Sequence, residues 1–93
     1  MIRTLMIEDD TLLVGALRLL LEENGHQVQA VSTYRETMMQ NFSSYDFFCV
    51  DIHLPDGNGI DICREIRRAG RQPILVLTAY EDEDYAVRAF EAG

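Results

Sequence analysis

Four times along this chain a short apolar run gives way to a segment with helical spacing, and that alternation limits the possible folds more than any other feature. Leu5, Met6 and Ile7 open the series and break abruptly into Glu8, Asp9 and Asp10. With Asp10 or Thr11 as N-cap, Leu13, Ala16, Leu17, Leu20 and Leu21 then recur at the period of a helix, and Asn24 with Gly25 stops it. Gln27 to Val31 alternates polar and apolar as a half-exposed edge strand does. Thr33 and Glu36 next form a capping box for a helix through Met38 and Met39. The third unit runs from Phe47, Phe48, Cys49 and Val50 into Asp51, through a loop rich in turn formers (Leu54, Pro55, Asp56, Gly57, Asn58, Gly59), to a helix ending at Gly70. The fourth has Ile74 to Leu77 as a strand buried on both faces, closed by Thr78, and a helix with an acidic first turn (Glu81 to Asp84) that carries Ala86, Val87, Ala89 and Phe90.

Serial βα units imply parallel strands joined by right-handed crossovers, with helices on both faces of the sheet. The expected fold class is therefore α/β, a doubly wound parallel sheet forming one domain over residues 1–93. In such a sheet the functional site lies at the carboxyl ends of the strands. Three of the four strands end there in oxygen-bearing residues: Glu8, Asp9 and Asp10 after the first, Asp51 after the third, Thr78 after the fourth.

Charge and cysteine usage narrow the function. Sixteen acidic against eight basic residues give a net charge of −8, which repels a phosphate backbone and argues against direct nucleic-acid contact by this segment. Cys49 and Cys63 have neither CxxC spacing nor a disulfide framework and read as buried thiols, which points to a reducing, cytoplasmic setting. No apolar run approaches the roughly 20 residues of a membrane span, so neither a membrane anchor nor a signal peptide is expected.

The carboxylates at the shared rim carry the chemistry. Two of them about 5 Å apart, at an effective dielectric near 20, repel by roughly 3 kcal/mol, so a cluster of three or four wants a cation or a proton. An oxygen-only site with open positions favours Mg²⁺. A single acidic residue at a strand end is commonly no more than a helix cap. Asp51, however, follows four apolar residues, and its desolvation must be offset by a partner.

The order and spacing of Glu8-Asp9-Asp10, Asp51-Ile52-His53-Leu54-Pro55-Asp56-Gly57-Asn58-Gly59 and Leu77-Thr78-Ala79 are similar to those of the receiver domains of two-component response regulators. This resemblance implies a flavodoxin-like sheet and a switch phosphorylated by a sensor histidine kinase. It implies Asp51 as phosphoacceptor, Asp9 as a direct Mg²⁺ ligand, Glu8 acting largely through metal-bound water, and the His53 backbone carbonyl as a further ligand. Thr78 would be the switch hydroxyl and Ala79 the small residue that leaves it access. The His53 and Tyr80 side chains would border the phosphoryl group and modulate its hydrolysis.

The resemblance also implies a fifth βα unit, with a lysine and an aromatic switch residue, which these 93 residues do not include. The expectation is thus a receiver lacking its last strand and helix, with Ile74–Leu77 as an apolar edge that seeks a homodimer or exchanged assembly. An effector domain beyond this segment, regulating transcription, follows from the resemblance alone. Two rivals remain open: a metal-dependent phosphohydrolase or Toprim-type enzyme, for which an Asp-x-Asp pair is expected where Asp51 is followed by His53, and an interaction module that keeps the fold without phosphorylation. An enzyme proper is not expected beyond slow self-phosphorylation and self-dephosphorylation.

Overall fold

The computed structural model describes residues 1–77. Their order is β1 (Ile2–Ile7), α1 (Thr11–Glu23), β2 (His26–Val31), α2 (Tyr34–Met38), a 3₁₀ turn (Phe42–Ser44), β3 (Phe47–Asp51), β4 (His53–Leu54), β5 (Gly57–Asn58), α3 (Gly59–Ala69) and β6 (Ile74–Leu77). β2, β1, β3 and β6 form one parallel sheet in that spatial order, with Ile7 opposite Val31 and Val50, and Asp51 opposite Leu77. The carboxyl ends of β1 and β3 thereby come side by side, which is what the serial βα pattern requires. β4 and β5 pair antiparallel as a separate two-residue hairpin with Pro55 and Asp56 at its tip.

Alternation along the strands sends successive side chains to opposite faces. Leu5, Ile7, Val31, Phe48 and Val50 face α3 and pack with Ile60, Ile62, Cys63 and Ile66. Burying an isoleucine such as Ile66 stabilises the fold by about 1.5–3 kcal/mol. The opposite face, where Thr4, Met6 and Cys49 are buried, is the side against which α1 packs through β2. Helices on both faces of a parallel sheet make this a doubly wound α/β fold of flavodoxin-like type.

The helix ends follow the local sequence. Asp10 caps α1, its carboxylate accepting from the Leu12 and Leu13 N–H groups at 3.0 and 3.1 Å. Asn24 and Gly25 close it, and Gly25 takes φ of +86°, which a side chain would disfavour. Thr33 caps α2 by accepting from the Glu36 N–H at 3.0 Å. Glu36 reaches back to the N–H and hydroxyl of Ser32 and the Thr33 hydroxyl, so the box closes one residue earlier than its usual form.

The structure picks out which α1 leucines are covered and corrects one strand reading. Leu17 and Leu21 of α1 are half-buried together with Val14, but Leu13, Ala16 and Leu20 are exposed. Leucines surround most of the helix, so their spacing does not select the stripe that meets the sheet. Ile74–Leu77 is not sealed on both faces either: Leu75 is 46% exposed. It lies on the α1 side of the edge strand, in an open cleft that Ile2, Leu21, Phe47 and Pro73 also line. The fourth helix, expected from the acidic turn Glu81 to Asp84, lies outside the described residues.

Candidate functional site

Glu8, just past β1, Asp9 beside it, and Asp51, the last residue of β3, converge at the rim. Each offers a carboxylate oxygen within 4.8 Å of the others. Glu8 is buried, Asp51 half-buried and Asp9 exposed. Asp10, the third acidic residue of the run, is not part of the group, because its carboxylate is committed to the first turn of α1.

Burial disfavours charge on both inner carboxyls. The Glu8 carboxyl is pushed up to about 7 by desolvation, opposed by the Asp10 N–H that donates to it at 3.1 Å and reinforced by neighbouring Asp51. The Asp51 carboxyl is also raised, chiefly by desolvation. A hydrogen bond from Glu8 and the His53 N–H, 3.4 Å away, act in the other direction. Without a cation the pair therefore tends to share a proton at neutral pH. Three oxygen donors around one point, with excess negative charge held together by the fold, suit a hard divalent cation that keeps some of its waters, and the group fits Mg²⁺. A cleft of about 220 Å³ runs beside Glu8 and Asp9 to Ser32 and Glu36.

The backbone that carries Asp51 is held from below by α3. The Gly59 N–H donates to the Ile52 carbonyl at 2.8 Å, and a Cβ on Gly59 would sit 2.1 Å from the Asp51 carbonyl oxygen. The sequence marks Gly59 only as a turn former. Its φ is not positive, so it is closeness and not conformational freedom that calls for glycine here. Asn58 immediately before it caps α3 by accepting from the Ile60 N–H at 2.7 Å, and that cap is the signal from which the close approach could have been read.

Of the residues singled out in the sequence, Glu8, Asp9 and Asp51 are brought together. His53 opens β4 two residues beyond Asp51 with its side chain exposed. Thr78, Ala79 and Tyr80 lie outside the described residues. Cys49 and Cys63 are buried free thiols, both pushed up to about 11 by burial, which makes them inert packing residues.

With that rim in view, comparison with known proteins decides the family. The model of the response regulator receiver domain matches residues 4–93. The chain belongs to that family. The regulatory protein VanRB of Enterococcus faecalis is 35% identical over 92 residues, covering 98% of this chain and 42% of the relative. The chain thus spans about two fifths of that relative's length. The non-phosphorylated HemR receiver domain of Leptospira biflexa superimposes with a TM-score of 0.88 at 33% identity, over 100% of this chain and 77% of that one. A response regulator of Burkholderia pseudomallei, solved with a phosphorylated aspartic acid, a calcium ion and citrate, gives 0.81 at 26% identity over 100% and 56%. Receiver domains are signal-transduction modules of two-component systems, they generally bind Mg²⁺ at an acidic pocket, and this receiver has such a pocket in Glu8, Asp9 and Asp51. No helix among the described residues is long and apolar enough to cross a membrane.

Proposed function

We propose that this receiver domain, residues 1–93, takes a phosphoryl group onto Asp51 from a sensor histidine kinase in a Mg²⁺-dependent transfer, and that the acyl phosphate switches a transcriptional output carried by an effector domain. The observation that carries the reading is the convergence of Glu8, Asp9 and Asp51 with the inner carboxyls held away from their ordinary ionisation. The B. pseudomallei relative with its phosphorylated aspartic acid and calcium ion supports the same chemistry for this chain. VanRB, a regulatory protein of more than twice this length, supports the output.

One Asp51 carboxylate oxygen forms the new bond to phosphorus in line with the departing phosphohistidine nitrogen, and the P–N bond breaks as the imidazole leaves. Mg²⁺, held by Asp9, Asp51 and the His53 carbonyl directly and by Glu8 largely through water, would draw charge from the phosphoryl oxygens. Burial of Glu8 and Asp51 keeps bulk water from competing for the same positions. Thr78 donates a hydrogen bond to the phosphoryl group, with Ala79 leaving it room, and the loop that follows moves inward. Later attack of water on phosphorus restores the carboxylate, at a rate set by the His53 and Tyr80 side chains.

The outer edge of β6, unpaired among the described residues, is the surface through which a homodimer or exchanged assembly would extend the sheet. We place the protein in the cytoplasm, in keeping with its free thiols, and assign it neither direct nucleic-acid contact through this segment nor contact with a membrane. Incubation with a small phosphodonor tests the core of the reading. Labelling is expected with Mg²⁺ and not with EDTA, and labelling that ignores EDTA would contradict it.

A further inference from the structure

The hairpin after Asp51 is fastened at its far end to an element 22 residues earlier in the chain. The Asp56 carboxylate at its tip accepts two backbone N–H groups from the first turn of α2, that of Tyr34 at 2.6 Å on Oδ1 and that of Arg35 at 3.1 Å on Oδ2. Those two donors belong to the N-terminal set that a helix cannot satisfy internally. Thr33 serves only the Glu36 N–H, so Asp56 provides from a distant loop what the local cap does not. Beside it the Tyr34 ring lies against Gly57, where a Cβ would meet the ring carbons at 2.7 Å. The two N–H donors also hold the Asp56 carboxyl below its ordinary value, Tyr34 contributing most.

The hairpin between these contacts and the site is short and paired throughout. His53 faces Asn58 and Leu54 faces Gly57, leaving only Pro55 and Asp56 at the turn. Its base is tied down on the other side as well, through the Asn58 cap and the Gly59 bond to Ile52. A ladder this short has no slack with which to absorb a displaced tip, so the position of Asp56 is passed to His53, whose N–H faces Asp51.

We propose that Asp56 is a positioning residue for the phosphoacceptor pocket: by pinning the β4–β5 hairpin to the first turn of α2 it fixes His53 beside Asp51 and so sets the affinity of the pocket for a divalent cation. The inference rests on the reading of Glu8, Asp9, Asp51 and the His53 carbonyl as the Mg²⁺ site. The bonds to Tyr34 and Arg35 need an acceptor oxygen more than they need a charge. Asn at this position keeps one oxygen for the shorter bond, and Ala keeps none.

Calorimetric titration of the intact protein with Mg²⁺ alone tests this, using wild type, Asp56→Ala, Asp56→Asn and Asp51→Asn, with amide hydrogen exchange followed at residues 34, 35, 52 and 53. Asp56→Ala is expected to weaken Mg²⁺ binding about tenfold and to speed exchange at all four amides. Asp56→Asn, which removes the same charge, is expected to stay within about twofold of wild type, as a shared acceptor oxygen implies. Equal affinities for Asp56→Ala and wild type would overturn the proposal, and so would equal weakening in Ala and Asn, which would make the effect one of charge. A wild-type protein whose Mg²⁺ binding is absent, or is untouched by Asp51→Asn, would overturn the reading of the pocket and the proposal with it. Asp56→Asn guards against loss of fold, since it keeps an acceptor oxygen for the shorter bond, that from Tyr34.

Discussion

α3 and α1 are of similar length and lie on opposite faces of one sheet, yet they are held very differently. α3 buries Gly59, Ile60, Ile62, Cys63 and Ile66, whereas α1 buries no residue and leaves Leu12 86% and Leu19 61% exposed. β3 lies between the two faces, and the start of α3 comes so close to the Asp51 carbonyl that a methyl group on Gly59 has no place there. The difference shows where this fold keeps its rigidity. Val50 turns to the sealed α3 face, and Asp51, next along β3, turns to the α1 side, where Thr11 and Val14 line the cleft beside Glu8 and Asp9. The acidic pocket thus opens on the looser face while its backbone is braced from the tighter one.

The comparison can be broken most forcefully at Ile66. Ile66→Ala removes a fully buried side chain from the sealed face and should cost about 2–5 kcal/mol. At about 4–8 °C per kcal/mol for a domain of this size, that shift is large in a thermal melt and can exceed the stability available. Gly59→Ala comes next. The added methyl would press on the Asp51 carbonyl, so a loss of about 1–3 kcal/mol is expected, accompanied by weaker Mg²⁺ binding because the backbone of Asp51 must shift. A Gly59→Ala protein with unchanged melting and unchanged Mg²⁺ affinity would show that the contact does not constrain the site.

Proton uptake sharpens the same contrast. The folded Glu8 carboxyl lies at about 7 against an ordinary 4.5. Its contribution to stability is therefore fully present below the unfolded value and is lost as pH rises through the folded one. In metal-free buffer the melting temperature should fall by several degrees between about pH 5 and pH 8. Raised Asp51 adds in the same direction, and Glu8→Gln should flatten the profile. Mg²⁺ at saturating concentration should remove most of the loss at high pH, since it replaces the proton as counter-charge. The smallest effect is expected on the open face: Leu19→Ala should change stability by less than about 0.5 kcal/mol.

The alternation of strand and helix was legible in the sequence because β3 and β6 are continuous β-rich runs, β2 alternates cleanly, and each helix is flanked by a capping or stopping residue. The acidic pocket was legible for a related reason. Carboxylates that end adjacent parallel strands share a rim, and Glu8, Asp9 and Asp51 do so. What the sequence left hidden depends on contacts across the chain. Strands of two residues, as in β4 and β5, are too short to carry a period. The stripe of α1 that meets the sheet cannot be chosen from leucines on nearly every side. The tie from Asp56 to Tyr34 and Arg35 joins positions with no local relation, and an aspartate between proline and glycine reads first as a turn former.

The central claim, that Asp51 is the phosphoacceptor, is tested most directly by intact mass after incubation with Mg²⁺ and a small-molecule phosphodonor, for the wild type and for Asp51→Asn. A single base-labile phosphoryl adduct on the wild type that is absent from Asp51→Asn is the predicted result. An adduct that persists in Asp51→Asn, or none on the wild type, would contradict the assignment, the latter favouring an interaction module that works without phosphorylation.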